Sequence, residues 1–499
     1  MGANVIPLFV VVSLSGAFLI SLFGRKLKWF PDLIGSAFTA LLLLLSLYAV
    51  KIVAEAGTLV YSAGSWKPPV GIVFVLDGLS SFMLVTVNLV AFCVAMFSIN
   101  YMAKYTSKWK FYTLFLLMLA GMNGVLITGD IFNLFVFLEI ASVASYALVA
   151  FGTERHELEA AFKYAVMSTV GSLFILLGIV FLYSATSTLS MADIALSLSP
   201  GKHSGILMLV SILFLMGFGL KAALVPFHAW LPDAHPSAPA PISAMLSGVL
   251  IKSLGIYSLC RIIFCVLGVS SQLLSILMVL GTLSMLIGVF LAIGQWDLKR
   301  LLAYHSISQI GYVILGISLG TPLGIIGGLF HLFNHSIFKS LLFLNSGAIE
   351  YTTGTRDLKK MGGLSEKMPI TSTTALTAAM SISGIPPFNG FWSKLLIIIA
   401  CVQAAKYWYG FWAVLASILT LASFTKVMKY AFFGNLKSQW AMIKEVPVFM
   451  KLSMIILAVI CVFGGLLFFP GLREPFLLKA SGVLLDAKTY ASTVIRLVQ

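Results

Sequence analysis

Apolar runs of about 20 residues recur from end to end of this 499-residue chain, each long enough to cross about 30 Å of hydrocarbon as a helix. That one feature removes most folds. With 60% hydrophobic and 10% charged residues, the chain lacks the polar surface a soluble globular domain needs. A transmembrane barrel would instead alternate apolar and polar residues in segments of about ten. The expected fold is therefore an all-α polytopic membrane protein with about fourteen transmembrane helices. They start near residues 6, 34, 74, 111, 130, 163, 205, 241, 272, 301, 322, 369, 408 and 449. The first run, IPLFVVVSLSGAFLISLF, lacks the basic start and small-residue cleavage site of a signal peptide and reads as a helix.

A net charge of +15 could point to nucleic acid, but the placement of the charges argues for topology. Lys and Arg fill alternate connections: RKLK at 25–28, then Lys104, Lys108 and Lys110, then Lys299 and Arg300. Arg356, Lys359, Lys360 and Lys367 follow, then Lys426, Lys429, Lys437 and Lys444. The intervening connections hold few positives: Lys51, Lys67, Lys202, Arg261 and Lys406. This positive-inside pattern implies a cell-membrane protein with the N-terminus outside, and an even number of spans returns the C-terminus outside. The five cysteines (Cys93, Cys260, Cys265, Cys401 and Cys461) are scattered through apolar runs without CxxC spacing, so buried thiols are expected rather than iron–sulfur or zinc ligands. The last stretch, 470–499, is mildly amphipathic and is expected along the surface.

Two regions interrupt long apolar stretches: LKAALVPFHAWLPDAHPSAPAP, with Pro226 inside the seventh span, and SGIPPFNGFWSK, with Pro386 and Pro387 in the twelfth. Proline removes a backbone donor and clashes with the preceding turn, so both helices should break. Broken helices at corresponding places in two halves point to an internal repeat with ion sites at the breaks. The expected organisation is residues 1–110 as three N-terminal helices, 111–265 as one five-helix repeat (helices 4–8), 272–435 as a second (helices 9–13), and 449–499 as helix 14 with a tail.

Against this apolar background the ionisable residues stand out. Glu139 lies nine residues after Asp130, the expected N-cap in GDIFNLF, which puts it about 13.5 Å into its helix and near mid-membrane. Alone it would protonate; a nearby cation would hold it ionised. Lys221 ends GILMLVSILFLMGFGLK, five residues before Pro226, at similar depth. A Glu–Lys pair there would act as a switch whose separation releases a proton, or as a static ion pair between two helices. Lys252 sits half-way along AMLSGVLIKSLGIYSLC, either in a transfer path or facing a water-filled cavity.

In GGLFHLFNHSIFKSLLFL, His331, His335 and Lys339 are spaced i, i+4, i+8 and share one helix face. Histidine titrates near neutral pH and can pass a proton along a water chain; metal or haem ligation and satisfied core histidines are the alternatives. Lys394, after the second break, is the terminal donor or acceptor. His305, His228 and Asp77 are further candidates: His305 as a relay member or an interfacial residue, Asp77 as a helix cap. Glu154, Glu157 and Glu159 read as a solvated loop, and His228, Asp233 and His235 as lying toward the loop at the first break, where they either feed protons inward or simply face water. Lysines outnumber acids and no site clusters the oxygen ligands of a sodium cage, so the composition favours proton relay.

The segments KAALVPFHAWLPDAHPSAPAPISAMLSGVLIK, DLKRLLAYHSISQIGY, FHLFNHSIFKSLLFLNSGAI and GIPPFNGFWSK resemble the signatures of the antiporter-like membrane subunits, over roughly residues 70–435. That family comprises the proton-pumping subunits of complex I, the D subunits of Mrp-type Na⁺/H⁺ antiporters, and their counterparts in membrane-bound hydrogenases. The resemblance implies fourteen helices, two inverted five-helix repeats and a hydrophilic axis through the membrane centre. Glu139 and Lys221 fall on the family's Glu–Lys pair, Lys252 on its central lysine, His331, His335 and Lys339 on its eleventh-helix pattern, and Lys394 on its terminal residue. It departs from some members with Lys rather than Glu at 394, His at 305 where Ser or Thr is common, and Gln at 309 where some have His.

AHPSAPAPISA and FNHSIFKSLLFL look closer to the hydrogenase and complex I types than to typical Mrp D subunits. The implied function is a non-catalytic, proton-translocating subunit of an oxidoreductase complex. No metal or cofactor is expected in this chain; iron–sulfur clusters and nickel–iron chemistry would belong to peripheral partners, alongside further antiporter-like and small membrane subunits. The alternative is an Mrp-type D subunit working without electron transfer.

Overall fold

The computed structural model describes residues 2–198 and 204–498; Lys202 of the charge pattern lies outside the described residues. Nearly all of it is helix. Eleven helices among the described residues are long and apolar enough to cross a membrane. The three other expected spans fall on the helix Pro322–Thr353 and on two broken helices, Ser204–Lys221 with Leu231–Ser237, and Pro369–Ser383 with Asn389–Gln403. Their polar residues and breaks keep length and composition alone from selecting them. The strands are a short hairpin, β1 (Leu59–Ser62) and β2 (Val73–Leu76), paired antiparallel with Leu59 opposite Leu76.

Local chemistry sets the helix starts. Asp130 caps Ile131–Val149 by accepting from Asn133 N at 2.7 Å, as expected. Asp297 does the same for Leu298–Ser318 through Arg300 N, 2.9 Å. Thr321 caps Pro322–Thr353, whose proline occupies the first turn where its missing N–H costs nothing. Asp77 caps Gly78–Tyr101 in a capping box with Ser80.

Both expected breaks are present. In the first, the chain leaves the helix after Lys221, passes Ala223 at φ 55, and Trp230 folds back to donate to Leu220 O at 3.1 Å. A left-handed alanine is strained by order 1–3 kcal/mol, which the surrounding packing must offset. The second break starts at Gly384, φ 77, a left-handed C-cap that glycine adopts without a Cβ clash. Gly390 sits so close to the Ser381 carbonyl that any Cβ would collide with it.

The helices Gly78–Tyr101, Ala240–Leu267, Leu298–Ser318 and Pro322–Thr353 form the buried centre, and the other spans wrap it. Alternate connections meet on the same face, which agrees with the alternation of charge. On one face Leu298 N donates to Arg356 O and Leu358 N to Trp296 O, both at 3.0 Å. On the other, Gly129 N donates to Val73 O and Met191 N to Gly129 O, both at 2.9 Å.

Several local expectations are corrected. Arg261 is not in a connection; it lies in the helix Ala240–Leu267 at 2% exposure. Glu157 is buried in the first turn of Arg155–Thr186, where its carboxylate accepts from Glu154 N. The C-terminal segment does not merely lie along the surface: Leu477, Leu484, Tyr490 and Val494 are buried in the main core. The five cysteines are free and buried, as expected.

Candidate functional site

The first break brings three helices onto one ammonium. Lys221, 4% exposed, donates to Ser168 Oγ at 2.6 Å and Ser142 Oγ at 3.0 Å, and pairs with Glu139 Oε1 at 3.4 Å. Ser172 Oγ donates a very short hydrogen bond to the same carboxylate oxygen. The expected Glu–Lys pair therefore exists. Glu139 itself is less enclosed than expected, with a side chain 30% exposed in an open hollow of about 510 Å³ lined by Leu114, Leu117, Phe135 and Val143. The lysine end is caged and the carboxylate end faces sideways.

Lys252 is 1% exposed and donates to Ser247 O at 2.5 Å within its own helix, which is wound with π-type turns there. Such turns widen the helix and recur at functional positions. Ser247 Oγ lies 2.6 Å from Ser306 Oγ, which ties this helix to Leu298–Ser318. No hydrogen bond joins Lys252 to Lys221 among the described residues.

His331, His335 and Lys339 line one face of Pro322–Thr353, and all three are fully buried. The His331 and His335 rings stack with centroids 6.4 Å apart. His331 is held at both nitrogens, Nδ1 2.9 Å from Ser393 Oγ and Nε2 3.2 Å from Gln309 Oε1. Gln309 thus takes up the histidine's second nitrogen. His335 and Lys339 have no hydrogen-bond partner among the described residues. Burying polar nitrogen without a partner costs several kcal/mol unless water or proton exchange relieves it. Lys252 lies near enough to His331, His335 and Lys339 for its charge to act on each.

At the second break Lys394, 3% exposed, donates to Ile382 O at 2.7 Å and to Ser417 Oγ at 3.2 Å. Its ammonium sits 4.6 Å from the centre of the Tyr312 ring. The break supplies the lysine's acceptor: Ile382 is in the last turn of Pro369–Ser383, whose end carbonyls have no helical partner. Asn334, next to His335 on its helix, donates to Asn389 O at 2.9 Å and accepts from Asn389 Nδ2 at 3.0 Å, so the restart of the broken helix is pinned to the histidine helix.

The secondary candidates separate. His305 is fully buried within the protein, with Nε2 2.9 Å from Ser423 Oγ. His228 is half-buried at the first break with Nδ1 unpartnered among the described residues. Asp77 stands apart from the others, in a bidentate pair with Arg261: Oδ2 to Nη1 at 2.6 Å and Oδ1 to Nη2 at 2.9 Å. His235, expected toward the loop, is instead fully buried with both ring nitrogens unpartnered among the described residues. Sequence reasoning also missed the role of Lys299, which is 2% exposed and pairs with Glu350 at 2.9 Å. Glu350 lies in the last turn of Pro322–Thr353, where a carboxylate ordinarily signals nothing more than a helix end reaching water. No group of three His, Cys, Asp or Glu side chains converges as a metal site among the described residues.

A face of lysines and histidines enclosed between two helix breaks defines the class: an antiporter-like membrane subunit. The comparisons agree. Residues 128–420 match the family described as NADH:quinone oxidoreductase/Mrp antiporter, TM, and residues 63–112 match the N-terminus of NADH-ubiquinone oxidoreductase (complex I) chain 5. The chain belongs to the NADH:quinone oxidoreductase/Mrp antiporter family. It is 35% identical over 397 residues to the D subunit of a Na(+)/H(+) antiporter of Alkalihalophilus pseudofirmus, covering 79% of this chain and 80% of that one. It is 36% identical over 403 residues to the N subunit of NADH-quinone oxidoreductase of Desulforudis audaxviator, with the same coverage. Among solved structures, it superposes with a TM-score of 0.90 on a chain of the Mrp complex from Dietzia sp. DQ12-45-1b, at 29% identity over 99% of this chain and 100% of that chain. A chain of the archaeal membrane-bound sulfane sulfur reductase gives the same score at 31% identity, over 98% of this chain and 99% of that chain.

Proposed function

We propose that this chain is the proton-translocating subunit of a membrane-bound respiratory or hydrogenase complex, driven by redox chemistry in partner subunits. The observation that carries this reading is the enclosed set Lys252, His331, His335, Lys339 and Lys394, with the Glu139–Lys221 pair at one end. These groups hold and release protons, whereas the set offers too few oxygen ligands to cage a sodium ion. Separating Glu139 from Lys221 would remove the charge that favours the ammonium and push its proton toward the axis. Glu139, Lys221, Lys252, His331, His335, Lys339 and Lys394 are the transfer residues in this reading, with His305 beside them.

The likeness to a respiratory sulfane sulfur reductase chain supports a redox-driven complex. In it, iron–sulfur and, for a hydrogenase, nickel–iron chemistry would sit in peripheral partners, and the positive-inside pattern would place both termini outside. Two inverted five-helix repeats, 111–265 and 272–435, would bring the two breaks into corresponding positions. A second reading, an Mrp-type D subunit exchanging Na⁺ for H⁺ without electron transfer, is favoured by the 35% identity to such a chain over 79% of this one.

The test is to purify the native complex, assay its iron and nickel, and reconstitute it into vesicles. Proton uptake on adding an electron donor, with iron present, is the expected result. Proton movement driven by a sodium gradient alone, in a complex without iron, would replace this reading with the second one.

A further inference from the structure

The helix Ala240–Leu267 starts at the basic face, where Ala240 N donates to Tyr101 Oη at 3.5 Å, and runs through Lys252 toward the face that bears the hairpin. Nine residues beyond Lys252 on that helix stands Arg261, buried against Asp77. From the hairpin side a hollow of about 380 Å³ reaches the same place, walled by Thr58, Asp77, Lys479, Asp486, Tyr490 and Thr493. Asp77 belongs to that wall and is still only 1% exposed, so the hollow ends at the ion pair. The C-terminal segment closes over it. Gly78 lies so close to the Lys479 carbonyl that a Cβ would collide, and Cys265 Sγ reaches Val483 O at 3.6 Å. The Tyr490 ring lies 5.0 Å from the guanidinium carbon.

The chemistry here is the reverse of that in the axis. His335 and Lys339 have open nitrogens, whereas each group around Arg261 is spoken for. The Tyr257 hydroxyl, between Lys252 and Arg261 on the helix, donates to Leu126 O at 2.7 Å and accepts from Arg261 Nε at 3.3 Å and Nη2 at 3.1 Å. One donor and two acceptors are all that a hydroxyl has. The Asp77 carboxylate takes both Nη1 and Nη2 and also accepts from Ser80 N at 2.9 Å. The guanidinium itself cannot be deprotonated in a protein, so it cannot take up a proton and pass it on. A staple between two helices would explain the paired charges, but it would not explain their standing where water from one face comes within one ion pair of the helix that carries Lys252.

We propose that Arg261, clamped by Asp77 and Tyr257 and covered by Tyr490 of the C-terminal helix, is a proton seal: it keeps protons held at Lys252 from escaping to the hairpin face beneath it. The inference rests on the proton-translocating reading above. A proton leaving Lys252 in that direction meets no group that both accepts and releases one, and the filled cluster leaves no path for a water chain. No proton is bound or passed at the seal itself.

The test uses the intact complex in vesicles that hold a trapped pH dye, given an acid pulse with no electron donor present, so that only passive leak is read. Asp77→Asn/Arg261→His keeps a helix cap at 77 and puts at 261 a smaller ring that binds and releases protons. Its leak should exceed that of the wild type several-fold and should return to the wild-type rate when Lys252→Met is added. Asp77→Asn alone keeps the guanidinium and should stay tight, although the ion pair is lost. Asp77→Asn/Arg261→Lys, whose lysine has no counter-ion and can release its proton, replaces the first variant if that one does not assemble. A double variant as tight as the wild type would overturn the seal. So would a leak that ignores Lys252→Met or that Asp77→Asn shows in full, since either would mark general loosening of the helices. If in the same vesicles Lys221→Ala abolishes uptake driven by an electron donor, the translocation reading stands whichever way the leak falls; full uptake in Lys221→Ala would sink that reading and the seal with it.

Discussion

Asp77–Arg261 and Glu139–Lys221 are two of the ion pairs among the described residues, and they are built in opposite ways. Asp77 and Arg261 meet through two contacts of 2.6 and 2.9 Å, with side chains 1% and 3% exposed. Tyr257 adds a hydroxyl at 3.1 and 3.3 Å from the guanidinium, and the Tyr490 ring lies 5.0 Å from its centre. Every surface of that pair is occupied. Glu139 and Lys221 meet through one contact of 3.4 Å, with the carboxylate 30% exposed and the ammonium held also by two serines. Arginine's planar fork suits a permanent clamp, while lysine's single ammonium on a flexible stem can exchange partners and protons. The first pair staples the N-terminal end of Gly78–Tyr101 to Ala240–Leu267; in the proposed function, the second is the pair that separates.

The comparison can be broken at four places, taken from the largest effect downward. Lys221→Ala should reduce proton uptake by the reconstituted complex to background while the complex still assembles; substantial uptake would make the second pair a staple too. Asp77→Asn should cost about 3–5 kcal/mol by leaving a buried guanidinium half-paired. A thermal-unfolding scan of the purified complex reads that loss, and uptake per assembled complex should persist. Uptake abolished without loss of stability would move Asp77 into the transfer path. Glu139→Gln should lower uptake by roughly tenfold rather than abolish it, since losing a charge-assisted contact costs about 1.5 kcal/mol and two serines still hold Lys221. Ser168→Ala should have the smallest effect, about 1 kcal/mol for one hydrogen bond, seen as a few-fold drop in initial uptake rate.

Much of the site was legible because charge is conspicuous in an apolar run. Glu139, Lys221, Lys252 and Lys394 each lie inside a stretch where a solvated side chain has no reason to be. The spacing of His331, His335 and Lys339 placed them on one face, because a helix repeats every 3.6 residues. The prolines announced both breaks. The full burial of His235 escaped because PDAHPS carries the marks of a loop, and nothing local says that neighbouring connections fold over it. Lys299 and Glu350 escaped for a related reason: each lies near a helix end, where a charge ordinarily meets water.

The apolar runs, the alternating basic connections and the proline breaks by themselves determined a polytopic helical membrane protein with two broken spans, because hydrocarbon forbids unpaired backbone and tolerates few charges; its class came from the resemblance of whole segments. Which of those charges are paired, caged or open was decided only by the tertiary structure. Lys221 found Glu139 from 82 residues away and Arg261 found Asp77 from 184. Such partners are set by which helices pack side by side, and a period of 3.6 residues carries no record of that.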